Sequence, residues 1–153
     1  MQQLNLPEYE FRLKKTGDQV SIFDEVRKKF VALTPEEWVR QNFVRFMIDH
    51  KNVPAGLVAL EKSIVMNTMS RRPDVLIHDR AGKPVMVIEC KSPDVKISQG
   101  AFDQVARYNA VLRVPYVVVT NGLDHYCCRM EFPDNTYTFL REIPDYGHMT
   151  GQG

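Results

Sequence analysis

Two apolar, β-branched segments, residues 73–79 and 84–91, constrain this fold more than any other feature of the chain. They flank a turn sequence at residues 80–83, and this pattern predicts an antiparallel β-hairpin. A turn centred between residues 81 and 82 gives the directly opposed pairs Asp79–Pro84 and Asp74–Glu89. Residues opposed in this way have Cβ atoms about 5 Å apart. The hairpin is therefore expected to hold the carboxylates of Asp74 and Glu89 together.

The second strand of this hairpin has two faces, because side chains alternate along a strand. One face carries Val85, Val87, Glu89 and Lys91, and the other carries Met86, Ile88 and Cys90. Both faces begin apolar, and charged residues appear only at the carboxyl end. This pattern is typical of a central strand that is buried on both sides and ends at a cleft.

The expected carboxylate pair predicts a metal site. Two carboxylates this close repel each other unless a cation lies between them, and oxygen ligands suit Mg²⁺ or Mn²⁺. Lys91 follows on the face of Glu89, where its ammonium could orient a water or stabilise a developing negative charge. The arrangement is typical of metal-assisted phosphodiester hydrolysis. The alternative is a same-face ion pair between Glu89 and Lys91, with the Pro-Asp dipeptide at residues 73–74 as an ordinary turn.

Asp74, Glu89 and Lys91 resemble the motif of the PD-(D/E)XK nuclease superfamily. Over residues 38–129 the sequence resembles the amino-terminal nuclease domain of type I restriction enzyme R subunits. The resemblance implies a restriction-endonuclease-like fold with a divalent metal ion at Asp74 and Glu89. It also implies the backbone carbonyl of Cys90 as a further metal ligand and Lys91 as the catalytic lysine.

The resemblance also implies a Gln-x-x-x-Tyr motif on the following helix, matched by Gln104 and Tyr108. Residues 98–112 read as a helix with Ser98 as its cap. Gln104 and Tyr108 are four residues apart, so they share a helix face. We expect them to hydrogen-bond a nucleic-acid backbone or to brace the site, and a solvated helix flank is the alternative.

A helix is predicted over residues 35–50, with Thr34 and Glu37 as a capping box and Pro35 at the first position. In the superfamily an acidic residue of the first helix often approaches the metal, and Glu37 matches it. Its alternative role is the capping box itself. Glu61 is a second candidate for the metal site, with an exposed strand position as its alternative.

The remaining elements predict a mixed central β-sheet flanked by helices, in the α/β class. They are a hairpin from residues 9–13 and 20–23, a strand at 115–120 parallel to its neighbour, and a hairpin from 125–132 and 136–141. We expect a single restriction-endonuclease-like domain over residues 1–153. Residues 1–33 form its N-terminal hairpin extension, and residues 147–153 are expected to be a disordered tail.

Composition excludes several classes of site. The three cysteines are an odd number, and adjacent Cys127 and Cys128 point to opposite strand faces, so disulfides are not expected. Cys90 reads as a small buried residue rather than a nucleophile. The four histidines are scattered and do not predict a zinc site. Without a membrane-length apolar run or a signal peptide, the protein is expected to be soluble and cytoplasmic.

A net charge of +1 gives no overall basic footprint for nucleic acid. Local groups of basic residues could still provide positive charge for a nucleic acid. Arg72 lies beside Asp74 in the sequence and could contact a phosphate at the cleft. Solvated surface is the ordinary explanation for such residues.

Together these observations favour a metal-dependent endo- or exonuclease acting on DNA in restriction, defence or repair. The alternatives are a non-catalytic nucleic-acid-binding or adaptor module that retains the fold, and a purely structural domain. The chain lacks the phosphate-binding loop of the ATP-driven motor to which R subunits couple their nuclease. We therefore expect target choice to come from a protein partner, from oligomerisation such as a homodimer, or from structure in the nucleic acid.

Overall fold

The computed structural model describes residues 1–60 and 73–151, without the side chains of residues 108 and 111. Its helices and strands follow one another in this order: β1 (Leu13–Thr16), β2 (Gln19–Asp24), β3 (Lys29–Ala32), α1 (Pro35–His50), β4 (Val58–Leu60), β5 (Val75–His78), β6 (Pro84–Cys90), α2 (Gln99–Leu112), β7 (Tyr116–Thr120), β8 (His125–Glu131), β9 (Thr136–Leu140) and α3 (Tyr146–Met149). A short 3₁₀ turn, Ala55–Leu57, precedes β4.

The central sheet has six strands in the order β4-β5-β6-β7-β8-β9. Strands β6 and β7 are parallel, and the other neighbours are antiparallel. The parallel pair is joined through α2, because a parallel connection must cross over the sheet. This topology confirms the predicted mixed α/β fold and the parallel strand at residues 116–120.

The register predicted for the β5–β6 hairpin is confirmed over three pairs, which are Val75–Ile88, Leu76–Val87 and Ile77–Met86. Near the turn it is wrong, because His78 rather than Asp79 lies opposite Pro84 after a β-bulge. The reason is local: Asp79 Oδ1 accepts hydrogen bonds from the backbone N–H groups of Ala81 and Lys83, at 2.9 and 2.8 Å. Asp79 therefore closes the turn instead of facing Pro84, and its backbone N–H donates to the Lys83 carbonyl at 2.8 Å.

Hydrophobic cores lie on both faces of the central sheet. Phe43 and Met47 of α1 pack with Met86 and Ile88 on one face. The other core is formed by α2 and the opposite sheet face, and it contains Phe102, Val105, Val87, Val117 and Val119. Strand β6 is therefore buried on both sides, as predicted. Val85 was expected to share a face with Val87 but belongs to the α1 core, because the bulge lies at this end of the strand.

Helix α1 has the bounds that the sequence predicts. Thr34 caps it, with Oγ1 accepting a hydrogen bond from the Glu37 backbone N–H at 3.0 Å, and Pro35 occupies the first helical position. Pro35 fits there because the first N–H groups of a helix have no partner within the helix. The cap fixes where α1 begins, and so it fixes the position of its first turn.

Helix α2 also follows the prediction, and Ser98 occupies its N-cap position without a capping hydrogen bond from its side chain. The other end is held by Asn109, which is fully buried. Asn109 donates to the Val114 carbonyl at 2.8 Å and accepts from the Val114 backbone N–H at 2.9 Å. These two bonds tie the end of α2 to the chain entering β7.

The N-terminal extension is a three-stranded antiparallel sheet rather than the predicted hairpin. Its first strand is Leu13–Thr16, not residues 9–13, because the turn is confined to Gly17 and Asp18. Gly17 adopts φ +61°, which is the left-handed conformation that glycine enters readily. A third strand, Lys29–Ala32, pairs with β2 and leads directly into the cap of α1.

The prediction of a disordered tail is wrong for residues 147–151, since α3 packs on the rest of the fold. Asp145 Oδ1 caps α3 by accepting from the Gly147 backbone N–H at 2.9 Å. Buried Tyr146 donates its hydroxyl to the His78 carbonyl at 3.0 Å, and its backbone N–H donates to the Lys51 carbonyl at 2.8 Å. An aromatic anchor at the start of the segment therefore orders it.

No helix in the described part of the chain is long and apolar enough to cross a membrane. The three cysteines are free and buried, and burial was predicted for Cys90. Cys127 and Cys128 belong to the cores on opposite faces of the sheet, as predicted.

Candidate active site

Asp74 and Glu89 meet at the end of the β5–β6 hairpin. Asp74 directly precedes β5, and Glu89 lies next to the last residue of β6. Their side chains are only 8% and 3% exposed. Burial, the negative charge of Glu89 and a hydrogen bond between the two side chains raise the pKa of Asp74 to about 8. The predicted meeting of the two carboxyl groups is thus what the structure shows.

Asp74 is also held by the backbone of the neighbouring strand. Its Oδ2 accepts a hydrogen bond from the Cys90 backbone N–H at 2.7 Å, and this bond lowers the pKa of Asp74 against the larger effect of burial. The carboxyl group therefore has a fixed orientation at the end of β6.

This donor set fits a hard divalent cation. In the described ranges, no three His, Cys, Asp or Glu side chains converge on a point where a metal would bind. Mg²⁺ commonly needs no more than one or two protein carboxylates, because it retains several waters and also binds substrate phosphates. Two oxygen-bearing side chains whose charges repel each other therefore match Mg²⁺ or Mn²⁺, and they do not match zinc.

Lys91 follows β6 directly and is half-buried. Its backbone N–H donates to the Thr120 carbonyl at 2.8 Å, so the pairing between β6 and β7 extends one residue beyond Cys90. Because strand alternation continues through this residue, Lys91 lies on the face of Glu89. The sheet thus fixes the backbone from which this lysine extends.

The side chain of Cys90 belongs to the α1 core and takes no part as a nucleophile. Burial, followed by the charges of Asp74 and Glu89, raises its pKa well above the usual value for a thiol. Burial likewise raises the pKa of both Cys127 and Cys128 to about 12. A neutral thiol is a poor nucleophile, so a cysteine mechanism has no support at any of these positions.

An open polar cleft of about 560 Å³ lies between the first turn of α1 and the segment after Lys91. Its lining residues are Thr34, Pro35, Glu36, Glu37, Arg40, Ser92 and Asp94. The charge of Glu36 raises the pKa of both Asp74 and Cys90, and the charge of Arg40 lowers that of Cys90. These electrostatic effects place the first turn of α1 beside the carboxylate pair.

Glu37 is occupied by other protein groups. Its Oε1 accepts hydrogen bonds from Arg27 Nη2 and Gln41 Nε2, both at 2.9 Å, and its Oε2 contacts Arg40. The side chain is 6% exposed. This geometry favours a structural role for Glu37 over the role of a metal ligand. Its carboxylate binds these side chains instead of the Thr34 backbone N–H that a capping box would require.

Glu36 is the acidic residue of α1 whose charge reaches Asp74, and sequence reasoning missed it. The predicted start of α1 could have identified it. With Glu37 at the third helical position, Glu36 lies about 100° away around the helix axis, and it is exposed. An acidic side chain at that position can face the strands that end beside the helix.

Asn121 is a second residue that sequence reasoning missed. It is buried, and its Nδ2 donates to the Val95 carbonyl at 2.8 Å. Its Oδ1 accepts from the backbone N–H groups of Leu123 and Asp124, at 2.9 and 2.8 Å. Asn121 therefore joins the segment after Lys91 to the turn after β7. An Asn-Gly pair at the end of a buried strand was the signal for such a turn.

The other predicted site residues are not brought into the site by a described contact. Gln104 is half-buried on α2, with no described bond to Asp74, Glu89 or Lys91. The side chain of Tyr108 lies outside the described residues, as do Glu61 and Arg72. The roles expected for these residues therefore remain predictions.

A second cavity, of about 360 Å³, is lined by residues of the N-terminal segment together with Trp38 and Asn42. Its lining, like that of the polar cleft, includes none of Asp74, Glu89 and Lys91. The polar cleft is the one associated with the site, because Glu36 lines it and the charge of Glu36 raises the pKa of Asp74.

Residues 35–144 match the family described as Type I restriction enzyme R protein N terminus. A solved fragment structure, described as an HsdR subunit of a type I restriction enzyme from Vibrio vulnificus YJ016, is 23% identical and has a TM-score of 0.41. The match covers 63% of this chain but only 18% of that chain. No curated protein matches this sequence. The family match includes the elements from α1 to β9 and the residues Asp74, Glu89 and Lys91. The chain belongs to the family of type I restriction enzyme R protein N-terminal domains.

Proposed function

We propose that this chain is a divalent-metal-dependent nuclease that hydrolyses phosphodiester bonds in DNA, in restriction, defence or repair. The observation that supports this most is the buried pair of Asp74 and Glu89, which share a hydrogen bond at the carboxyl end of the central strand β6. Membership of the restriction enzyme family supports a nuclease domain. The metal dependence rests on the chemistry of the pair, and DNA as the substrate rests on the membership of the restriction enzyme family.

Asp74 and Glu89 are the residues that would hold Mg²⁺ or Mn²⁺, with the backbone carbonyl of Cys90 as a further oxygen ligand. When bound, such an ion lowers the pKa of a coordinated water and neutralises charge on the phosphate. The hydrogen bond from the Cys90 N–H to Asp74 leaves one carboxyl oxygen of Asp74 oriented by the backbone. Glu36 adds negative charge on the cleft side.

Lys91 would orient the attacking water or stabilise negative charge on the phosphoryl oxygens. Positioned cations of this kind are effective because they need little reorganisation in the transition state. The bond from the Lys91 backbone to Thr120 supports this role, since it holds the lysine at the junction of two central strands. Arg40 supplies a second positive charge in the cleft, held in place by Glu37.

Target choice by a partner is part of the proposal. The solved relative is described as one subunit of a restriction enzyme, and this chain covers less than a fifth of its length. A net charge of +1 offers little non-specific attraction to DNA. We infer that a protein partner, or a second copy of this chain, contributes to target recognition.

The test is cleavage of linear, circular and single-stranded DNA and of RNA, with Mg²⁺, Mn²⁺ or a chelator. Lys91→Ala is expected to reduce metal-dependent DNA cleavage at least about a hundredfold, as expected for the loss of a preorganised stabilising group. The matched control is Lys83→Ala, because Lys83 is exposed in the turn at the other end of the hairpin.

Two outcomes would contradict the nuclease proposal. One is cleavage that Lys91→Ala leaves unchanged, which would indicate a contaminating enzyme or a different site. The other is metal binding without cleavage of any substrate, which would favour the non-catalytic nucleic-acid-binding or adaptor module.

A further inference from the structure

We propose that the outer face of the N-terminal sheet binds single-stranded DNA. This outer face is formed by Arg12, Lys14, Phe23 and Phe30. It belongs to the segment that precedes the family match at residues 35–144. The choice of DNA as the occupant rests on the proposed nuclease function, whereas the binding itself does not require catalysis.

Strand register places the aromatic residues of the outer face together. Phe23 of β2 lies directly opposite Phe30 of β3, and their ring centroids are 5.2 Å apart in an edge-to-face arrangement. On the same strand, Ile22 and Asp24 point inward and are buried, so Phe23 points to the opposite side. Phe30 is 40% exposed, which leaves part of its ring open to a ligand.

Cations lie over these rings. The Arg12 guanidinium carbon is 4.0 Å from the Phe23 ring centroid and 5.7 Å from that of Phe30. The Lys14 ammonium is 5.7 Å from the Phe30 centroid. The backbone supports this placement, because the Phe23 N–H donates to the Arg12 carbonyl at 2.9 Å. A flat guanidinium and an exposed ring thus form one surface.

The charge of this segment is concentrated relative to the rest of the chain. Residues 12–32 carry six basic and three acidic side chains, against a net charge of +1 for the whole protein. Two of the three acidic side chains are paired locally, Asp24 with Arg27 and Glu25 with Lys28. Of the six basic residues, Arg12 and Lys14 lie on the outer face, where their positive charge complements a phosphate backbone.

Stacking chemistry selects a single strand. Proteins that bind single-stranded nucleic acid combine basic surfaces for the phosphates with aromatic or guanidinium planes on which bases stack. A duplex keeps its base faces inside the stack, so it cannot use the Phe30 ring or the Arg12 plane in this way. A single strand can use both the rings and the cations of the outer face.

Buried ion pairs attach this sheet to the cleft. Arg27 Nε lies 2.5 Å from Asp24 Oδ2, and Arg27 Nη2 lies 2.9 Å from Glu37 Oε1. Glu37 belongs to the first turn of α1, which lines the cleft, and β3 ends at Ala32, two residues before Thr34. Single-stranded DNA bound to the outer face is therefore held at a fixed position relative to the cleft.

The test is fluorescence anisotropy of a short labelled single-stranded DNA with chelator present, so that no cleavage occurs. Phe30→Leu is expected to weaken binding about tenfold, in the range measured when a stacking aromatic is removed. Phe30→Tyr keeps the ring and should bind like the wild type. The matched control is Phe139→Leu, because Phe139 is also an exposed phenylalanine on a strand.

The cations are tested by the double variant Arg12→Ala with Lys14→Ala. It should bind more weakly, and the dependence of log K on log salt should become shallower by about 0.7 for each phosphate that the variant no longer neutralises. Lys83→Ala is the charge control and should leave both quantities unchanged. Because Lys14 is exposed, Lys14→Ala alone keeps the test valid if changes at Phe30 unfold the sheet.

The inference is overturned if a correctly folded Phe30→Leu variant binds as tightly as the wild type. It is also overturned if the control variants lose as much affinity as the outer-face variants. A third such result is that duplex DNA or RNA of the same sequence binds more tightly than the single strand. The nuclease proposal fails separately. A wild type that binds single strands through Phe30 but never cleaves them would support the outer face and reject the nuclease.

Discussion

The molecule buries two carboxylates in each of two neighbouring regions, and their surroundings differ. Asp24 and Glu37 are 1% and 6% exposed, and Arg27 lies between them in ion pairs of 2.5 and 2.9 Å. Asp74 and Glu89 are 8% and 3% exposed. There, burial and the negative charges of Glu89 and Glu36 raise the pKa of Asp74 to about 8.

This difference separates a structural cluster from a candidate metal site. Carboxylates that already lie against arginines gain nothing from an added cation. Carboxylates that face each other are more stable when a proton or a cation reduces their repulsion. Burial alone therefore does not identify the site, whereas the negative charges that raise the pKa of Asp74 do.

The largest effect is expected for Asp74→Asn, which retains the shape of the side chain and removes its charge. Metal-dependent DNA cleavage should fall at least about a thousandfold, because the ion loses one of its two carboxylate ligands. The melting temperature of the metal-free protein should stay the same or rise at pH 8, because one of two like charges is gone. Cleavage rates and calorimetric melting measure both effects.

The control for this variant is Asp49→Asn, at an exposed residue of α1 that pairs with Arg45. It should leave cleavage unchanged. If Asp74→Asn instead lowered the melting temperature strongly while cleavage persisted, the carboxylate pair would be a structural cluster like the other one.

The opposite result is expected for Glu37→Gln. Removing this charge leaves Arg27 and Arg40 without their shared carboxylate, and breaking one partner of a buried ion pair typically costs about 3–5 kcal/mol in the free energy of unfolding. Urea denaturation measures this loss. Disrupting the exposed pair of Glu25 and Lys28 with Lys28→Ala should cost less than about 1 kcal/mol.

A stable Glu37→Gln protein that had lost metal binding would reverse the two assignments. Glu37 would then be the metal ligand that the superfamily resemblance implies, and its arginine partners would be secondary.

The smallest effect is expected for Glu36→Gln, one residue away on the same helix. Its charge reaches Asp74 through space, so we expect Mn²⁺ affinity to fall several-fold, by about 1 kcal/mol. The free energy of unfolding should change by less than about 1 kcal/mol, because Glu36 is exposed in the first turn of α1. Calorimetry measures the Mn²⁺ affinity of each variant, and urea denaturation measures its free energy of unfolding. Equal changes in both quantities for Glu36→Gln and Glu37→Gln would contradict the different roles assigned to these two residues.

Sequence patterns predicted the elements that depend on local interactions. The turn at residues 80–83, the burial of β6 on both faces and the Thr34 cap of α1 each follow from neighbouring residues, and the structure confirms them. The meeting of Asp74 and Glu89 follows from the hairpin register, so the carboxylate pair could be predicted as well.

The missed features depend on contacts between residues that are distant in sequence. Glu37 is satisfied by Arg27, ten residues earlier and beyond a strand that was not predicted. The tail is ordered because Tyr146 bonds to His78, which is 68 residues away. The bulge beside His78 arises from competition between the Asp79 side chain and strand pairing, whose outcome the hydrophobic pattern does not determine.

The central claim is that Asp74 and Glu89 form a divalent-metal site, and titration calorimetry with Mn²⁺ tests it most directly. The wild type is expected to bind Mn²⁺ at one site or more. The Asp74→Asn variant should lose that binding, whereas a folded Glu37→Gln variant should retain it. Equal Mn²⁺ binding by the wild type and Asp74→Asn, or no binding by the wild type at millimolar Mn²⁺, would contradict the claim.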